Sequence, residues 1–379
     1  MFRTLLALLP LALYAADPAT LARIKPRMQS QVDRGVISGT VTLVMEKGQL
    51  VHHEVVGMAD RENNKPMRKD SIFQIMSMTK PFTGVAIMML VEEGKLNLHD
   101  PVGKYVPEFK HHQGMLVRHL MTHTSGLAAN PPGENMEWYY SMKITLGEAI
   151  KYYATTPLLF EPGTKWSYSN MGIATLGRIV ENLSGLKFED FIAQRILTPL
   201  KMNDTFFFPD AQPAERKSRI VVNYCTAKDG LTPCGHTTLG GDSRKLRAGA
   251  TYSAPEFGLY STAEDLSRFY QTMLNGGTYE GKRLLSRASV EAMSMTQTGD
   301  LLTGHNTGAT FGLTWEVIAK NPGAAQLWSL GTFGHGGAFG THGWIDPKKQ
   351  IVGVFMVQGG SGNAETKANF IAMASASSN

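Results

Sequence analysis

Cysteine, clustered charge and long apolar runs are all scarce in this chain of 379 residues. Its two cysteines are Cys225 and Cys234, so no cysteine lies near residue 16 to carry a bacterial lipid anchor. The net charge of +5 is spread along the chain, and the short basic cluster SRKLR is typical of solvated surface. This distribution does not support nucleic-acid binding. Beyond residue 16, no apolar run reaches the length of a membrane helix.

The first 16 residues, MFRTLLALLPLALYAA, have the pattern of a signal peptide. Arg3 is followed by an apolar stretch from Leu5 to Leu13 and then by small residues. The stretch is too short to span a bilayer, so we expect a leader that directs the protein to the periplasm or outside the cell. The chain is 42% hydrophobic, enough for one large core with or without a sizeable insertion. Its oligomeric state is left open.

The two cysteines are separated by turn-forming residues in NYCTAKDGLTPC. In an oxidising compartment they could close a small loop, stabilising it by about 2 to 3 kcal/mol if the geometry fits. Two unpaired thiols are the alternative, and the sequence does not decide between them.

Strand and helix patterns at both ends of the chain predict one antiparallel sheet. GTVTLVMEKGQLVHHEVVGMAD has two alternating runs around Lys47-Gly48, which predicts a β-hairpin. Near the other end, FGLTWEVI, GAFGTHGWID and QIVGVFMVQ are three more strand candidates. We expect a helix over PRMQSQVDRG, with Pro26 at its first position and Gly35 beyond its end, and another from Ala364. The fold class is therefore α+β, an antiparallel sheet flanked by terminal helices in an α/β/α sandwich.

The middle of the chain is mostly helix and loop. TLGEAIKYYATTPL and ATLGRIVENLSGL have helical character, and Gly185 closes the second helix. We therefore predict a sheet domain built from residues 17–97 and 261–379, and an inserted helical domain over residues 98–260. The active site is expected in the cleft between them.

A serine and a lysine three residues apart begin the helix that follows the first hairpin. Apolar residues recur after Lys80 with helical spacing until Gly94, and Pro81 directly follows the lysine. Inside a formed helix, Pro81 would remove a backbone hydrogen bond and clash with the carbonyl of Ser77. Ser77 must therefore lie at the helix N-terminus, where the dipole is positive, with Lys80 on the same face. This placement suits a nucleophile and its proton acceptor.

The Ser-x-x-Lys spacing alone is weak support for catalysis. It occurs again at Ser184 and Lys187, where Gly185 ends a helix and separates the two side chains. For Ser77, the alternative is a helix-capping serine followed by a surface lysine. A serine hydroxyl needs a neighbour to take its proton, and a neutral lysine costs roughly 4 kcal/mol, so a second group would help. No Gly-x-Ser-x-Gly elbow occurs in the chain, which weighs against an α/β-hydrolase.

A second motif, Tyr168-Ser169-Asn170 in KWSYSNMGIATLGRIVE, supplies such a group. Together with Ser77 and Lys80 it resembles the serine β-lactamase and penicillin-binding-protein superfamily, in particular the class C β-lactamase-like branch with its family VIII carboxylesterases. SIFQIMSMTKPFTGVAIMMLVEEGKLNLHDPVGKYVPEF, VRHLMTHTSGL and GLYSTAEDLSRFYQTMLNGG are similar to their counterparts there and occur in the same order. The resemblance covers nearly the whole mature chain.

The resemblance implies a catalytic or binding role for each of these motif residues. Ser77 is the acyl-forming nucleophile, with Lys80 as its proton partner. Tyr168 relays protons to and from the leaving group, and Asn170 hydrogen-bonds the acyl side of the substrate. A protonated Lys80 beside Tyr168 would favour the phenolate, so either residue could take the first proton.

A third motif of this family, Lys-Thr-Gly or its equivalent on an edge strand, corresponds best to His335-Gly336-Gly337-Ala338. The small residues let a substrate lie against the strand. The resemblance implies that the N–H groups of Ser77 and Ala338 form the oxyanion hole. Removing one donor of such a hole typically costs about 2.7 to 4 kcal/mol. The alternative is a glycine-rich strand end with a solvated histidine.

The histidine at position 335 bears on the choice of substrate. In β-lactamases of this branch the lysine and threonine help to bind the β-lactam carboxylate, whereas relatives with His-Gly-Gly include many esterases. Because histidine is neutral for much of the time near pH 7, it anchors an anion less well than lysine. We therefore expect a small-molecule ester or amide substrate, with an ester ahead of a β-lactam or D-alanyl-D-alanine peptide, and no cofactor. A ligand-binding or sensor protein on the same fold is the alternative outside catalysis.

His119 and His123 lie four residues apart in RHLMTHTSG, a spacing found in some metal sites. No acidic residue lies between them at the position of the zincin glutamate, so we expect no metal. Trp138, Tyr139 and Tyr140 could line a substrate pocket, although an aromatic core is the stronger expectation.

Overall fold

The structure is a computed structural model that describes residues 16–133, 137–228, 230–235, 245, 247–301, 303, 308–320, 327–359 and 363–378. The predicted leader lies outside these residues except for Ala16. Within the described ranges, no helix combines the length and the apolar content that crossing a bilayer requires.

An eight-stranded antiparallel sheet, built from both ends of the chain, forms the centre of the fold. The strands of the described residues are β1 (Gly39–Glu46), β2 (Gln49–Asp60), β3 (Lys65–Pro66), β4 (Phe73–Gln74), β5 (Tyr224–Ala227), β6 (Gly230–Pro233), β7 (Tyr260–Ser261), β8 (Thr278–Tyr279), β9 (Lys282–Arg283), β10 (Ala309–Phe311), β11 (Glu316–Ile318), β12 (Phe333–Gly336), β13 (His342–Asp346) and β14 (Ile351–Val357). The large sheet has the order β10-β11-β12-β13-β14-β1-β2-β3. The two ends of the chain therefore meet where β14 pairs with β1.

Helices cover both faces of this sheet. The helices of the described residues are α1 (Pro18–Ala22), α2 (Ile24–Asp33), α3 (Lys80–Glu92), α4 (Val117–Met121), α5 (Glu137–Ser141), α6 (Leu146–Ala154), α7 (Asn170–Ser184), α8 (Phe188–Ile192), α9 (Ala214–Ser218), α10 (Ala263–Leu274), α11 (Arg287–Ser294) and α12 (Ala364–Ala376). The terminal helices α1, α2 and α12 pack on one face, and α3 and α10 belong to the core on the other. The predicted α+β fold, with the sheet between helical layers, is confirmed.

The central strand β14 shows why the sheet is apolar on both sides. Its sequence is IVGVFMV, and all seven residues are buried. Val352, Val354 and Met356 point to the core that contains α3 and α10. Ile351 and Phe355 point to the core under the terminal helices. A strand covered on both faces therefore reads as a continuous apolar run rather than as an alternation.

Three predicted elements differ from the structure in their bounds. FGLTWEVI is two strands, β10 and β11, because the chain turns at Gly312 and at Thr314, which has φ +66°. GAFGTHGWID contributes only β13, because its first residues form a turn that Gly340 closes with φ +94°. The first long helix begins at Ile24 rather than at Pro26. Pro26 lies in the first turn of this helix, where proline is tolerated. The hairpin around Lys47-Gly48 and the C-terminal helix from Ala364 are confirmed.

The two cysteines are joined in a disulfide between β5 and the residue that follows β6. The hairpin brings them together, since Cys225 pairs with Thr232 two positions before Cys234. Of the two alternatives that the sequence left open, the structure therefore selects the disulfide.

The middle of the chain contains helices α4 to α9 and the β5–β6 hairpin. It is connected to the rest through β4, which pairs with β7, and through α3, which packs on α7. The domain boundaries at residues 97/98 and 260/261 stay predictions.

Candidate active site

Ser77 lies in a short 3₁₀ turn, Met76–Thr79, that leads directly into α3. The helix begins at Lys80, one residue before Pro81, as the position of the proline predicts. Met76 has φ +49°, a left-handed conformation that is costly for a residue with a side chain. Met76 is fully buried, so the surrounding core holds this conformation in place next to the serine.

The amine of Lys80 is fully buried, and three oxygen atoms lie within hydrogen-bond distance of it. Its Nζ lies 3.0 Å from Ser77 Oγ, 2.8 Å from Asn170 Oδ1 and 2.8 Å from the backbone carbonyl oxygen of Glu256. Burial lowers the pKa of Lys80 to about 7, although the charge of Glu256 opposes this shift. A substantial fraction of neutral amine is therefore present near pH 7, in contact with the serine hydroxyl.

Tyr168 also contacts Ser77, and its ionisation bears on which residue takes the first proton. Burial raises the pKa of Tyr168 above its ordinary value, and a hydrogen bond with Ser77 only partly opposes this. The Lys80 Nζ lies 4.7 Å from the centre of the tyrosine ring, over its face. A phenolate is therefore not favoured, and this geometry suits Lys80 as the first proton acceptor and Tyr168 as a proton donor.

Asn170, the first residue of α7, orients the lysine from the opposite side. Ser169 caps this helix, its Oγ accepting from the backbone N–H of Gly172. The Asn170 Nδ2 donates to Asn130 Oδ1 at 2.8 Å, which fixes the amide so that its oxygen faces Lys80. Asn130 was not predicted, because only the fold brings its loop to α7.

His335 to Ala338 lie where β12 ends, beside the serine-bearing turn. An added Cβ at Gly337 would lie 2.5 Å from the backbone oxygen of Ile75, two residues before Ser77. Only glycine fits this close contact. The exposed Ala338, which follows the end of β12, therefore lies next to the serine-bearing turn. The Nδ1 of His335 lies 2.8 Å from the carbonyl oxygen of Gly336, and the side chain is buried rather than solvated.

The histidines of RHLMTHTSG act as hydrogen-bond acceptors. His119 Nδ1 accepts from the Leu116 N–H at 3.3 Å, and His123 Nδ1 accepts from the Ser169 N–H at 3.1 Å. The ring of His123 also packs against the ring of Tyr168, with 4.5 Å between centroids. Within the described residues, no group of three or more potential metal ligands occurs. The contact between His123 and Tyr168 was missed, because the two residues lie far apart in sequence.

The aromatic cluster of α5 is in part connected to the site. Tyr139 is buried, and its hydroxyl lies 3.2 Å from Asn130 Oδ1. Trp138 packs edge-on against Tyr139 and Tyr152. The side chain of Tyr140 lies outside the described part of the chain.

Glu256 is the second residue that sequence reasoning missed. It is fully buried, its backbone carbonyl binds Lys80, and its Oε1 accepts from the Tyr252 hydroxyl at 2.7 Å. Burial raises the pKa of Glu256 to about 7. No pattern in the sequence indicates this position, because the contact joins residues 176 positions apart.

The chain is similar to known proteins over most of its length. The family model described as "Beta-lactamase" matches residues 22–378. Esterase EstB of Burkholderia gladioli is 29% identical over 364 residues, covering 88% of each chain. A putative D-alanyl-D-alanine carboxypeptidase of Salmonella typhi is 28% identical over 372 residues, covering 90% of this chain and 83% of the relative.

A solved structure shows the same fold over almost the full length. EstCE1, described as a hydrolase with promiscuous acyltransferase activity, superposes with a TM-score of 0.80 at 24% identity. The match covers 94% of this chain and 99% of EstCE1. The chain therefore belongs to the beta-lactamase family, within the serine hydrolase superfamily that also contains the penicillin-binding proteins and related esterases.

Proposed function

We propose that the protein is a carboxylesterase that cleaves small-molecule esters through an acyl-enzyme on Ser77. One observation carries this proposal: the buried amine of Lys80, with a pKa of about 7, lies 3.0 Å from the serine oxygen. A serine hydroxyl is a poor nucleophile until a neighbour accepts its proton. A partly neutral lysine at this distance is such a neighbour.

The geometry supports a two-step reaction. Ser77 Oγ attacks the ester carbonyl carbon while its proton passes to Lys80 Nζ. The N–H groups of Ser77 and Ala338 are the proposed donors to the oxyanion of the tetrahedral intermediate. The intermediate collapses as its bond to the alcohol oxygen breaks, and the Tyr168 hydroxyl gives its proton to the departing alcohol. A water molecule then attacks the acyl carbon and gives a proton back to Tyr168. The acid leaves as the bond to Ser77 Oγ breaks, and Lys80 Nζ returns its proton to the serine. Acid–base assistance of this kind is worth about 10² to 10⁴ in rate.

His335 favours an uncharged ester over a β-lactam. A lysine at this place in β-lactamases of the branch helps to anchor the substrate carboxylate, and histidine is a weaker anchor. Here the His335 Nδ1 lies 2.8 Å from the Gly336 carbonyl oxygen, so a protonated Nδ1 would donate to this oxygen rather than to a substrate. Slow turnover of β-lactams is compatible with this arrangement, but esters are the expected substrates.

The test compares the wild type with Ser77→Ala on p-nitrophenyl esters, a chromogenic cephalosporin and a D-alanyl-D-alanine peptide. We expect ester hydrolysis to exceed the other two activities and to fall by at least about 10³-fold in the variant, since the nucleophile is lost. Ser184→Ala is the matched control, because Ser184 has the same spacing to a lysine but its hydroxyl donates to the Val180 carbonyl. This control should keep full activity.

Four outcomes would contradict the proposal. Ester turnover that survives in Ser77→Ala places the chemistry elsewhere. A cephalosporin rate far above every ester would make the protein a β-lactamase, and a dominant peptide rate would make it a carboxypeptidase. Binding of these compounds without turnover would make it a ligand-binding or sensor protein.

We also propose that the protein acts in the periplasm or outside the cell. The leader pattern of residues 1–16 supports export. The Cys225–Cys234 disulfide supports it independently, since disulfides persist mainly in oxidising compartments. Fractionation of the native host should recover the activity outside the cytoplasm, and recovery in the cytoplasm would contradict the proposal.

A further inference from the structure

A short segment far from Ser77 in sequence lies against the serine-bearing turn and α3. We call residues 255–259 the strap. Its C-terminal end is held through the Leu259 backbone, because the Ile75 N–H donates to the Leu259 carbonyl oxygen and the Leu259 N–H donates to Thr79 Oγ1. Thr83 Oγ1 donates to the Pro255 carbonyl oxygen at 2.7 Å. The Lys80 amine donates to the strap between these points.

Close packing keeps the strap in this position. An added Cβ at Gly177, in α7, would lie 2.2 Å from Pro255 Cγ, so the helix and the strap touch without a gap. Ala254, just before the strap, has φ +52° and is fully buried. At Gly258 an added Cβ would lie 1.7 Å from the Ser253 carbonyl oxygen. The strap is therefore held rigidly between α3 and α7, and the carbonyl that binds Lys80 is fixed with it.

The carboxylate of Glu256 is buried among other ionisable groups. Tyr252 donates to its Oε1 at 2.7 Å, and the Tyr252 and Tyr153 hydroxyls lie 3.3 Å apart. Arg247 is also buried, its Nη1 donating to the Gly258 carbonyl oxygen and its guanidinium lying 5.0 Å from the centre of the Tyr260 ring. Five ionisable groups interact with the Glu256 carboxylate through charge or a hydrogen bond. They are Lys80 of α3, Tyr153 of α6, Tyr168, Arg247 and Tyr252.

This cluster buries two cationic side chains and one carboxylate. The attraction between Glu256 and Lys80 favours the charged form of each, and Arg247 likewise favours the carboxylate. Burial acts against all three charges. The proton content of Lys80 therefore depends on whether Glu256 is charged.

We propose that Glu256 is a positioning residue for the reaction on Ser77: its carbonyl holds the Lys80 amine against the serine, and its carboxylate sets the pH range in which that amine accepts a proton. The inference rests on the proposed role of Lys80 as the first proton acceptor. It assigns a function to the Glu256 side chain, which is fully buried and accepts from the Tyr252 hydroxyl.

The direction of the effect follows from the charges. The carboxylate of Glu256 raises the pKa of Lys80. Glu256→Gln removes this charge but keeps an oxygen for Tyr252 and leaves the backbone carbonyl in place. The pKa of Lys80 should then fall, so that neutral amine is present at lower pH. The acidic limb of the kcat/KM profile should move to lower pH by about one unit or more, the size of coupling between interacting buried groups.

The experiment measures this limb for wild type, Glu256→Gln, Glu256→Asp and Tyr252→Phe. Glu256→Asp keeps the charge and should restore the limb towards the wild-type position. Tyr252→Phe removes the hydrogen bond that lowers the pKa of Glu256. The acidic limb of Tyr252→Phe should therefore move to lower pH, as in Glu256→Gln, but by a smaller amount. If Glu256→Gln does not fold, the other two variants still decide the question.

Glu92→Gln is the matched control. Glu92 ends the same helix that begins at Lys80, about 18 Å away at 1.5 Å per residue, and bonds Ser286 and Ser289 instead. Its profile should coincide with that of the wild type. A folded Glu256→Gln enzyme with lower activity and an unmoved limb would overturn the proposal, since a purely structural role predicts that result.

The rate at which a fluorophosphonate labels Ser77, measured across the same pH range, separates the two proposals. Labelling needs an activated serine but no particular ester. If no ester is turned over while the labelling limb moves in Glu256→Gln, the inference about Glu256 stands and the proposed substrate class fails. If esters are hydrolysed and neither limb moves, the esterase proposal stands and the inference fails.

Discussion

Replacing Lys80 by methionine should remove activity and also remove a pH dependence of stability. The fall of the lysine pKa from its ordinary value of 10.5 to about 7 corresponds to about 5 kcal/mol at about 1.36 kcal/mol per pKa unit. This is the cost of burying the ammonium at and below pH 7. Methionine avoids the cost, but it leaves Asn170 Oδ1 and the Glu256 carbonyl without their donor, at about 1 to 3 kcal/mol each.

The change of stability with pH reports on the lysine alone, because the two lost hydrogen bonds cost a similar free energy at each pH. Between pH 7 and 10.5 the unfolded chain keeps the lysine proton and the folded protein releases it, so wild-type stability rises with pH. The slope is about 1.4 kcal/mol per pH unit. Lys80→Met lacks this term. Its free energy of unfolding relative to wild type should therefore fall by about 2 to 3 kcal/mol from pH 7 to pH 9.

Urea denaturation at the two pH values measures this difference. The exposed Lys110, changed to methionine, is the control, and its stability relative to wild type should be the same at both. Ester hydrolysis of Lys80→Met should fall by at least about 10²-fold, since the base is lost. If its stability relative to wild type is the same at pH 7 and pH 9, Lys80 is protonated in the folded protein. A lysine that stays protonated at pH 9 cannot be the first proton acceptor for Ser77.

Two further changes test the surroundings of the site. Gly337→Ala should lower kcat by about 10²-fold while the protein stays folded, because the new Cβ pushes on the backbone of Ile75 and misplaces the serine. Gly114→Ala, where a Cβ meets open space, is its control, and equal kinetics for both would contradict the packing argument. Replacing Cys225 and Cys234 by serine should lower the free energy of unfolding by about 2 to 3 kcal/mol, the entropy of a loop of this size. A thermal melt that does not change, with or without reductant, would show that the disulfide contributes nothing.

Features fixed by neighbours in the chain could be predicted from the sequence. Pro81 sets the start of α3 because a proline inside a formed helix clashes with the preceding turn. Gly185 ends α7 because a left-handed residue, φ +72°, closes a helix most easily as glycine. The hairpin at Lys47-Gly48 likewise follows from local alternation and turn residues. Ser77 could be predicted in the same way, because its spacing to Lys80 and Pro81 is a local feature of the sequence.

Only the tertiary structure decided the chemical state of those residues. The sequence left open whether Lys80 or Tyr168 takes the first proton. The fold places Lys80 over the face of the tyrosine ring and buries both groups. Asn130 and Glu256 reach the site across 40 and 176 positions of sequence. A pKa depends on burial and on charges within a few ångströms, and both are properties of the packed chain rather than of the order of its residues.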